Sequence, residues 1–379
     1  MRLVLVIAVF IIMQASDAIA STISNLFQLY VGEHHFGTHV FPMISNIALL
    51  ITMFIMVICL FKKFQQLSFQ RALLGFLIVP LFAVPVSVYT YPVISGFTVG
   101  ITKLSGVWLQ LCVPSALRAT ITSISTGVGG LIDIRGVTVE NLWTMDLIRY
   151  RYILFCLVMS FGLFWWLSTV LQSSITIPQK KAINSGGILK LMVNYPHIFI
   201  ICFCAGFNNG LISYTYILGS KISIIQSPEI YQYVISVGAV FIPIILGMIA
   251  DRYSILYVTL YTILLLVFCT FINVALPLMH TTHAFAYYIT AFVESGLIAG
   301  LMALSASLIG ERLQQEGLFR AFAVSSIIMG IGGILYGRMF IRFHDSFVGV
   351  KFSVGMINIL LLMLTVYFYC KKSGSKHVV

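Results

Sequence analysis

Charge is the scarcest feature of this chain. Only 9% of its 379 residues are charged and 60% are hydrophobic. A soluble domain carries about 25% charged and about 45–50% apolar residues. So few charges cannot cover a water-facing surface, which excludes soluble globular folds. Disorder is excluded as well, because disordered chains combine low hydrophobicity with high net charge. The long apolar runs lack period-2 alternation, which argues against a transmembrane barrel. There is no P-loop, dinucleotide fingerprint or nucleophile elbow, so ATP-driven pumping and the common hydrolase chemistries have no motif to rest on. The seven cysteines sit mostly in apolar runs, and Cys202 and Cys204 are too close together for a zinc-site spacing. Glu33, His34, His35 and His39 in the first outer loop do not form H-E-x-x-H either. No metal and no cofactor is expected.

What remains is long apolar sequence. The mean hydropathy is +1.03, and about 20 apolar residues span a bilayer. Twelve hydrophobic segments can be drawn, at roughly 3–30, 41–61, 70–90, 93–113, 118–134, 150–173, 193–219, 230–250, 254–277, 283–310, 319–341 and 349–370. Turn and charge residues mark the breaks, among them Lys62-Lys63, Pro92, Pro114 and the stretch Glu311 to Gly317. Backbone groups in lipid must be satisfied within the segment, so the segments read as helices. Ala18-Ile19-Ala20 resembles a signal-peptide cleavage site. Asp17 just before it and the apolar run past it favour an uncleaved span, with cleavage of residues 1–20 as the alternative.

The net charge of +11 follows the positive-inside pattern rather than a nucleic-acid footprint. With the N-terminus cytoplasmic and the spans alternating, fourteen of the 22 Lys and Arg fall on the cytoplasmic side. Seven, Lys351 among them, fall on the other side, and Lys103 lies within a span. Both termini are therefore expected in the cytoplasm.

The halves resemble each other. Ser105-Gly106-Val107 recurs as Ser295-Gly296-Leu297, 190 positions later. Leu117-Arg118-Ala119 followed by Gly127-Val128-Gly129-Gly130 parallels Phe319-Arg320-Ala321 followed by Gly330-Ile331-Gly332-Gly333. The expected organisation is a six-helix half over 1–173, a cytoplasmic connector over 174–192 and a second six-helix half with a short tail over 193–379. Such duplications place substrate at the repeat interface near mid-membrane. The glycines Gly127, Gly129, Gly130, Gly330, Gly332 and Gly333 suit close packing between the halves.

Gly247-Met248-Ile249-Ala250-Asp251-Arg252-Tyr253 closes the eighth segment. It resembles the G-x-x-x-D-R loop signature of the major facilitator superfamily, here in its second position only. The first position reads Phe61-Lys62-Lys63-Phe64-Gln65-Gln66. The resemblance implies an all-α integral membrane fold of twelve helices in two pseudo-symmetric halves. It also implies a gating role for Gly247, Asp251 and Arg252, with the Asp251/Arg252 pair holding one gate closed. Gln14-Ala15-Ser16-Asp17 resembles the acidic first helix of the drug/proton antiporter branch. The helix 5 glycines lack that branch's Gly-Pro, and its helix 4 arginine is replaced by Lys103.

In the resembled family helices 1, 4, 7 and 10 line the cavity, and the intramembrane charges Asp17, Lys103 and Glu294 map to three of them. Helix 7 adds Asn208, Asn209, Ser213 and Tyr214 as substrate-cavity candidates. Burial disfavours a charged carboxylate and a nearby lysine favours it. A carboxylate balanced between the two can load a proton on one side and release it on the other. Glu294 is the first candidate carrier and Asp17 the second, with Lys103 as counter-ion. Two acids and one lysine favour a cationic or neutral substrate over an anion.

The resulting expectation is a non-enzymatic, monomeric secondary transporter of a small molecule in the bacterial inner membrane. Proton-coupled efflux is expected, with proton-linked uptake of amino acids or organic solutes as the alternative. A lipid-processing membrane enzyme would need a polar cluster at one face. The only stretch of that kind, Asp133 to Arg151, has balanced charge and reads as a connecting loop. A sensor that binds without moving solute is the remaining rival, suggested by the degraded first-half loop.

Overall fold

Proline and a few polar residues fix where the helices begin. In the computed structural model, residues 40–58, 110, 113–127, 188–213, 222, 224–225, 228–281, 283–313, 318–343 and 346–374 are described. The helices are α1 (Val40–Ile58), α2 (118–127, entered from the 3-10 turn Ser115–Leu117), α3 (Ile188–Asn194), α4 (Pro196–Ser213), α5 (Pro228–Arg252), α6 (Ile255–Leu278), α7 (Ala284–Arg312), α8 (Leu318–Phe343) and α9 (Phe347–Gly374). Pro196 and Pro228 stand at the first helical position, where the missing N–H costs nothing. Ser346 caps α9, its Oγ accepting the Gly349 N–H at 3.0 Å. The reversal between α6 and α7 uses His280 at φ 51°, a left-handed conformation that this turn requires.

Helices α5 to α9 are each long and apolar enough to cross a membrane. They coincide with the last five hydrophobic segments to within a few residues, and α4 with the seventh. The two long helices at the extremes of burial define the layering. In α7, 78% of the apolar window is buried, against 39% in α9. Helix α7 is thus central. Helices α6 and α9 turn Tyr261, Phe268, Met356, Leu360 and Met363 outward as a continuous apolar face, as lipid-facing helices do.

Small residues let the helices meet backbone to backbone. Helices α5 and α7 touch through Gly238, Gly296 and Gly300; a Cβ on Gly296 would stand 2.5 Å from Ile242. Helices α4 and α8 touch through Gly206, Gly210 and Gly332, where a Cβ on Gly332 would stand 2.7 Å from the Phe203 carbonyl oxygen. Gly332 therefore packs within the second half, not between the halves as expected. Gly127 and Gly330 face other helices. A Cβ on Gly127 would stand 3.0 Å from the Val240 carbonyl oxygen of α5, and one on Gly330 would stand 2.8 Å from Leu50 of α1. Gly333 is buried in α8, while Gly129 and Gly130 lie outside the described residues.

Candidate functional site

Glu294 lies in the middle of the most buried of the described membrane-spanning helices, and its partner is a lysine near the start of a neighbouring one. Lys351 is buried in the second turn of α9, and its Nζ forms an ion pair with Glu294 Oε2. Asn273 Nδ2 of α6 donates to the same oxygen at 3.0 Å. Thr270 Oγ1 lies 3.2 Å from Oε1. Thr290, one turn before Glu294, donates to Asn273 Oδ1 at 2.7 Å and holds that amide in place. The carboxylate is thus met by donors from α6 and α9 and has its counter-ion. An unpaired charge at this depth would cost at least a few kcal/mol.

This arrangement corrects two expectations. Lys351 does not belong to an outer loop; it is an intramembrane charge. Counting it cancels the charge of Glu294, so the excess of acid that favoured a cationic or neutral substrate disappears. Asp17, Lys103 and Tyr214 lie outside the described residues. Beside the pair is a small recess with room for little more than one water, lined by Leu211, Ile212, Tyr231, Ile235, Ala291, Glu294, Ser295, Ile298 and Lys351. It lies inside the second half, between α4, α5, α7 and α9.

Asn208 is engaged elsewhere. Its Nδ2 donates to Asn358 Oδ1 of α9 at 2.8 Å, and Asn358 Nδ2 donates back to Asn208 Oδ1 at 2.9 Å. The second Asn208 amide proton goes to the Cys204 carbonyl at 2.8 Å. Both residues are fully buried. Asn208 is therefore half of a reciprocal amide staple between α4 and α9, with no atom turned to a cavity. Asn209 beside it is half-buried, and Ser213 is the last residue of α4. Asn208→Leu should destabilise the protein by about 1–3 kcal/mol, because the Asn358 amide is left buried and unpaired. Adding Asn358→Leu should recover most of that loss, and comparing apparent melting temperatures of the three variants checks it.

Gly247 and Asp251 form a contact with α2. Asp251 stands in the last turn of α5, one helical turn after Gly247, so the two share a face. Its Oδ1 accepts the Ala119 N–H at 2.9 Å and its Oδ2 the Thr120 N–H at 2.8 Å. These amides belong to the first turn of α2, whose N–H groups have no partner within the helix and carry its positive end. Close approach is required: a Cβ on Gly247 would stand 2.6 Å from Ser123 Oγ and 2.8 Å from the Ala119 carbonyl oxygen. Arg252 is exposed, while both Asp251 oxygens face α2. The clamp is thus carboxylate to helix end, not Asp251 to Arg252.

A second tier surrounds it. Arg118 is buried at the start of α2, where it is subject to the charges of Glu311 and Asp251. Gln110 Nε2 donates to Thr122 Oγ1 at 2.9 Å, and Gln110 packs on the bare Cα of Gly310 near the end of α7. The halves are in contact at the end where α5 and α7 finish. The sequence does not single out Arg118 and Gln110 as part of this contact. The one sequence signal for Arg118 was its repeat partner Arg320.

A helical membrane bundle whose halves meet through a glycine, a carboxylate and a helix end defines a class of architecture. Comparison with solved structures makes the class specific. The human organic anion transporter MFSD10 superposes with a TM-score of 0.67 at 10% identity, over 94% of this chain and 99% of that one. A bacterial homologue of the iron transporter ferroportin, in an outward-facing state, gives 0.68 at 12% identity, over 99% and 100%. The proton:xylose symporter XylE, a major facilitator superfamily protein, gives 0.67 at 12% identity, over 97% and 94%. The chain therefore has the major facilitator fold along essentially its whole length. No family model and no curated protein matches the sequence itself.

Proposed function

We propose that the chain is a secondary active transporter that moves a small molecule by alternating access, coupled to protons, in the manner of the drug/proton antiporters. The observation that carries this reading is the clamp of Asp251 on the first turn of α2. It joins the two halves at one end by hydrogen bonds and charge alone, so it can break and reform in every cycle. The Glu294–Lys351 pair supplies the coupling group, with Asp17 and Lys103 as the corresponding charges of the first half. Asn209, Ser213 and Tyr214 are the helix 7 groups left for substrate. The solved structures with this fold include an organic anion transporter, a homologue of an iron transporter and a proton:xylose symporter. The fold thus supports transport and leaves substrate choice to the site. The protein works as a monomer in the inner membrane with both termini cytoplasmic, and needs no cofactor.

One observation favours a second reading, proton-linked uptake of a nutrient. The glycines Gly127, Gly129 and Gly130 are not followed by the proline of the exporters' helix 5 signature.

The test is proton flux in proteoliposomes carrying a pH-sensitive dye, challenged with pools of organic cations, organic anions, amino acids and neutral solutes. A pool that moves protons identifies the substrate class, and the sign of the dye response distinguishes antiport from symport. Glu294→Gln should abolish that proton movement while leaving exchange of labelled for unlabelled substrate intact. Proton movement undiminished in Glu294→Gln removes Glu294 from the mechanism.

A further inference from the structure

The ion pair of Glu294 and Lys351 has an asymmetry in depth. Helices α7 and α9 start at the same face, because α6–α7 and α8–α9 are joined by short turns at that end. Glu294 is ten residues into α7, about 15 Å along its axis, and Lys351 is four residues into α9, about 6 Å. The lysine has a long flexible stem that can carry its ammonium to an interface. The glutamate is short and fixed by Asn273. Phe347, one turn nearer that face, already has its ring centroid 5.7 Å from Lys351 Nζ and offers the ammonium a cation–π resting place.

We propose that Lys351 is the positioning residue for proton uptake at Glu294, releasing the carboxylate by stepping one turn toward the start of α9, over Phe347. The proposal rests on the reading of Glu294 as the coupling group. In the paired state the site is neutral and closed. A proton from water binds Oε2 and makes the carboxyl neutral. Lys351 keeps its own proton, so the site gains one positive charge. That charge is carried by the ammonium, which moves away from the low-dielectric centre to the membrane face. Loss of the proton from Glu294 draws the ammonium back. The acid remains bonded to Asn273.

Among the described residues, the surroundings leave these two groups as the elements of the switch. Among the described residues, the other titratable groups near Glu294 are Tyr231 from α5 and Cys269 from α6, with Tyr287 two turns earlier on α7 packed against Phe347. Helix α4 presents Leu211 and Ile212, which do not titrate. A static structural pair makes a different prediction, namely a carboxylate that never becomes a free acid in the folded protein.

The experiment uses the full chain in phosphatidylcholine vesicles and the apolar reagent N,N′-dicyclohexylcarbodiimide, which attacks a protonated carboxyl. Labelling of Glu294 is followed by peptide mass spectrometry. Wild-type Glu294 should label about tenfold or more faster at pH 5.5 than at pH 8.5. Lys351→Met should raise the rate at pH 8.5 by about tenfold or more, and Lys351→Arg should restore the wild-type profile. A wild-type Glu294 that stays unlabelled at both pH values, and reacts only after unfolding in detergent, overturns the switch without needing any variant. So does a Lys351→Met protein that labels at the wild-type rate. No substrate is needed for this readout. Absent proton flux with the expected labelling removes the transport reading and leaves the switch, and intact flux with failed labelling does the reverse.

Discussion

Lys351→Met is expected to destabilise the folded protein by about 3–5 kcal/mol, the usual cost of removing one partner of a buried ion pair. The reason is the place of Glu294. Its short side chain sits about 15 Å into α7 and cannot reach a membrane face. Methionine fills the volume of the lysine stem but supplies no charge, leaving the carboxylate with Asn273 and Thr270 as its donors. The companion variant Glu294→Gln/Lys351→Met removes both charges and should recover most of the loss, because a well-packed neutral pair is often as stable as the ions. Unfolding by sodium dodecyl sulfate, followed by circular dichroism, would give the double-mutant cycle. A coupling energy near zero would mean that the two charges do not interact in the bilayer.

Which parts of this could be read from the chain depends on the kind of interaction involved. Helices α4 to α9 were legible because spans in lipid are long apolar runs, and breaks such as Pro196 and Pro228 have a direct backbone meaning. Glu294 was legible as a charge in such a run. Lys351 was not, although it stands in the run 349–370, because a lysine near a segment end is what the positive-inside rule counts as a loop residue. Asn208 is legible as a polar residue, but its task is not. Its partner Asn358 is 150 residues away, and a lone asparagine in an apolar run gives no sign of which helix it faces. The glycines of α8 show the same limit. Gly330 meets α1 and Gly332 meets α4, and two positions on one helix point to different neighbours only once the bundle is assembled. The Asp251 motif was visible, but its true partner was not. That partner is a pair of backbone N–H groups, which every non-proline residue possesses.

Asp251→Asn should open the clamped end. The carboxylate makes two charge-assisted hydrogen bonds to α2, and bonds to charged groups contribute about 1.5–3 kcal/mol each. An amide keeps one acceptor oxygen, so one bond and the attraction of a negative charge for the helix end are lost. A loss of about 1–3 kcal/mol corresponds to a shift of roughly 5–150-fold between closed and open populations. Ser123 offers the readout, since it is fully buried on α2 against Gly247. A Ser123→Cys reporter should react slowly with a polar maleimide while the clamp is shut. Adding Asp251→Asn should speed its labelling within that range. Arg252→Ala should leave the rate unchanged, because Arg252 is exposed and both Asp251 oxygens face α2. If Arg252→Ala opened the end as strongly as Asp251→Asn, the side-chain pair would be the true gate and the helix-end clamp would be wrong. Gly247→Leu should act in the same direction through a different term, driving a side chain between α5 and the Ala119 carbonyl. Because it strains the same contact, its effect combined with Asp251→Asn should be less than the sum of the two. Full additivity would place the glycine and the carboxylate in separate contacts, although they lie one turn apart on the same helix.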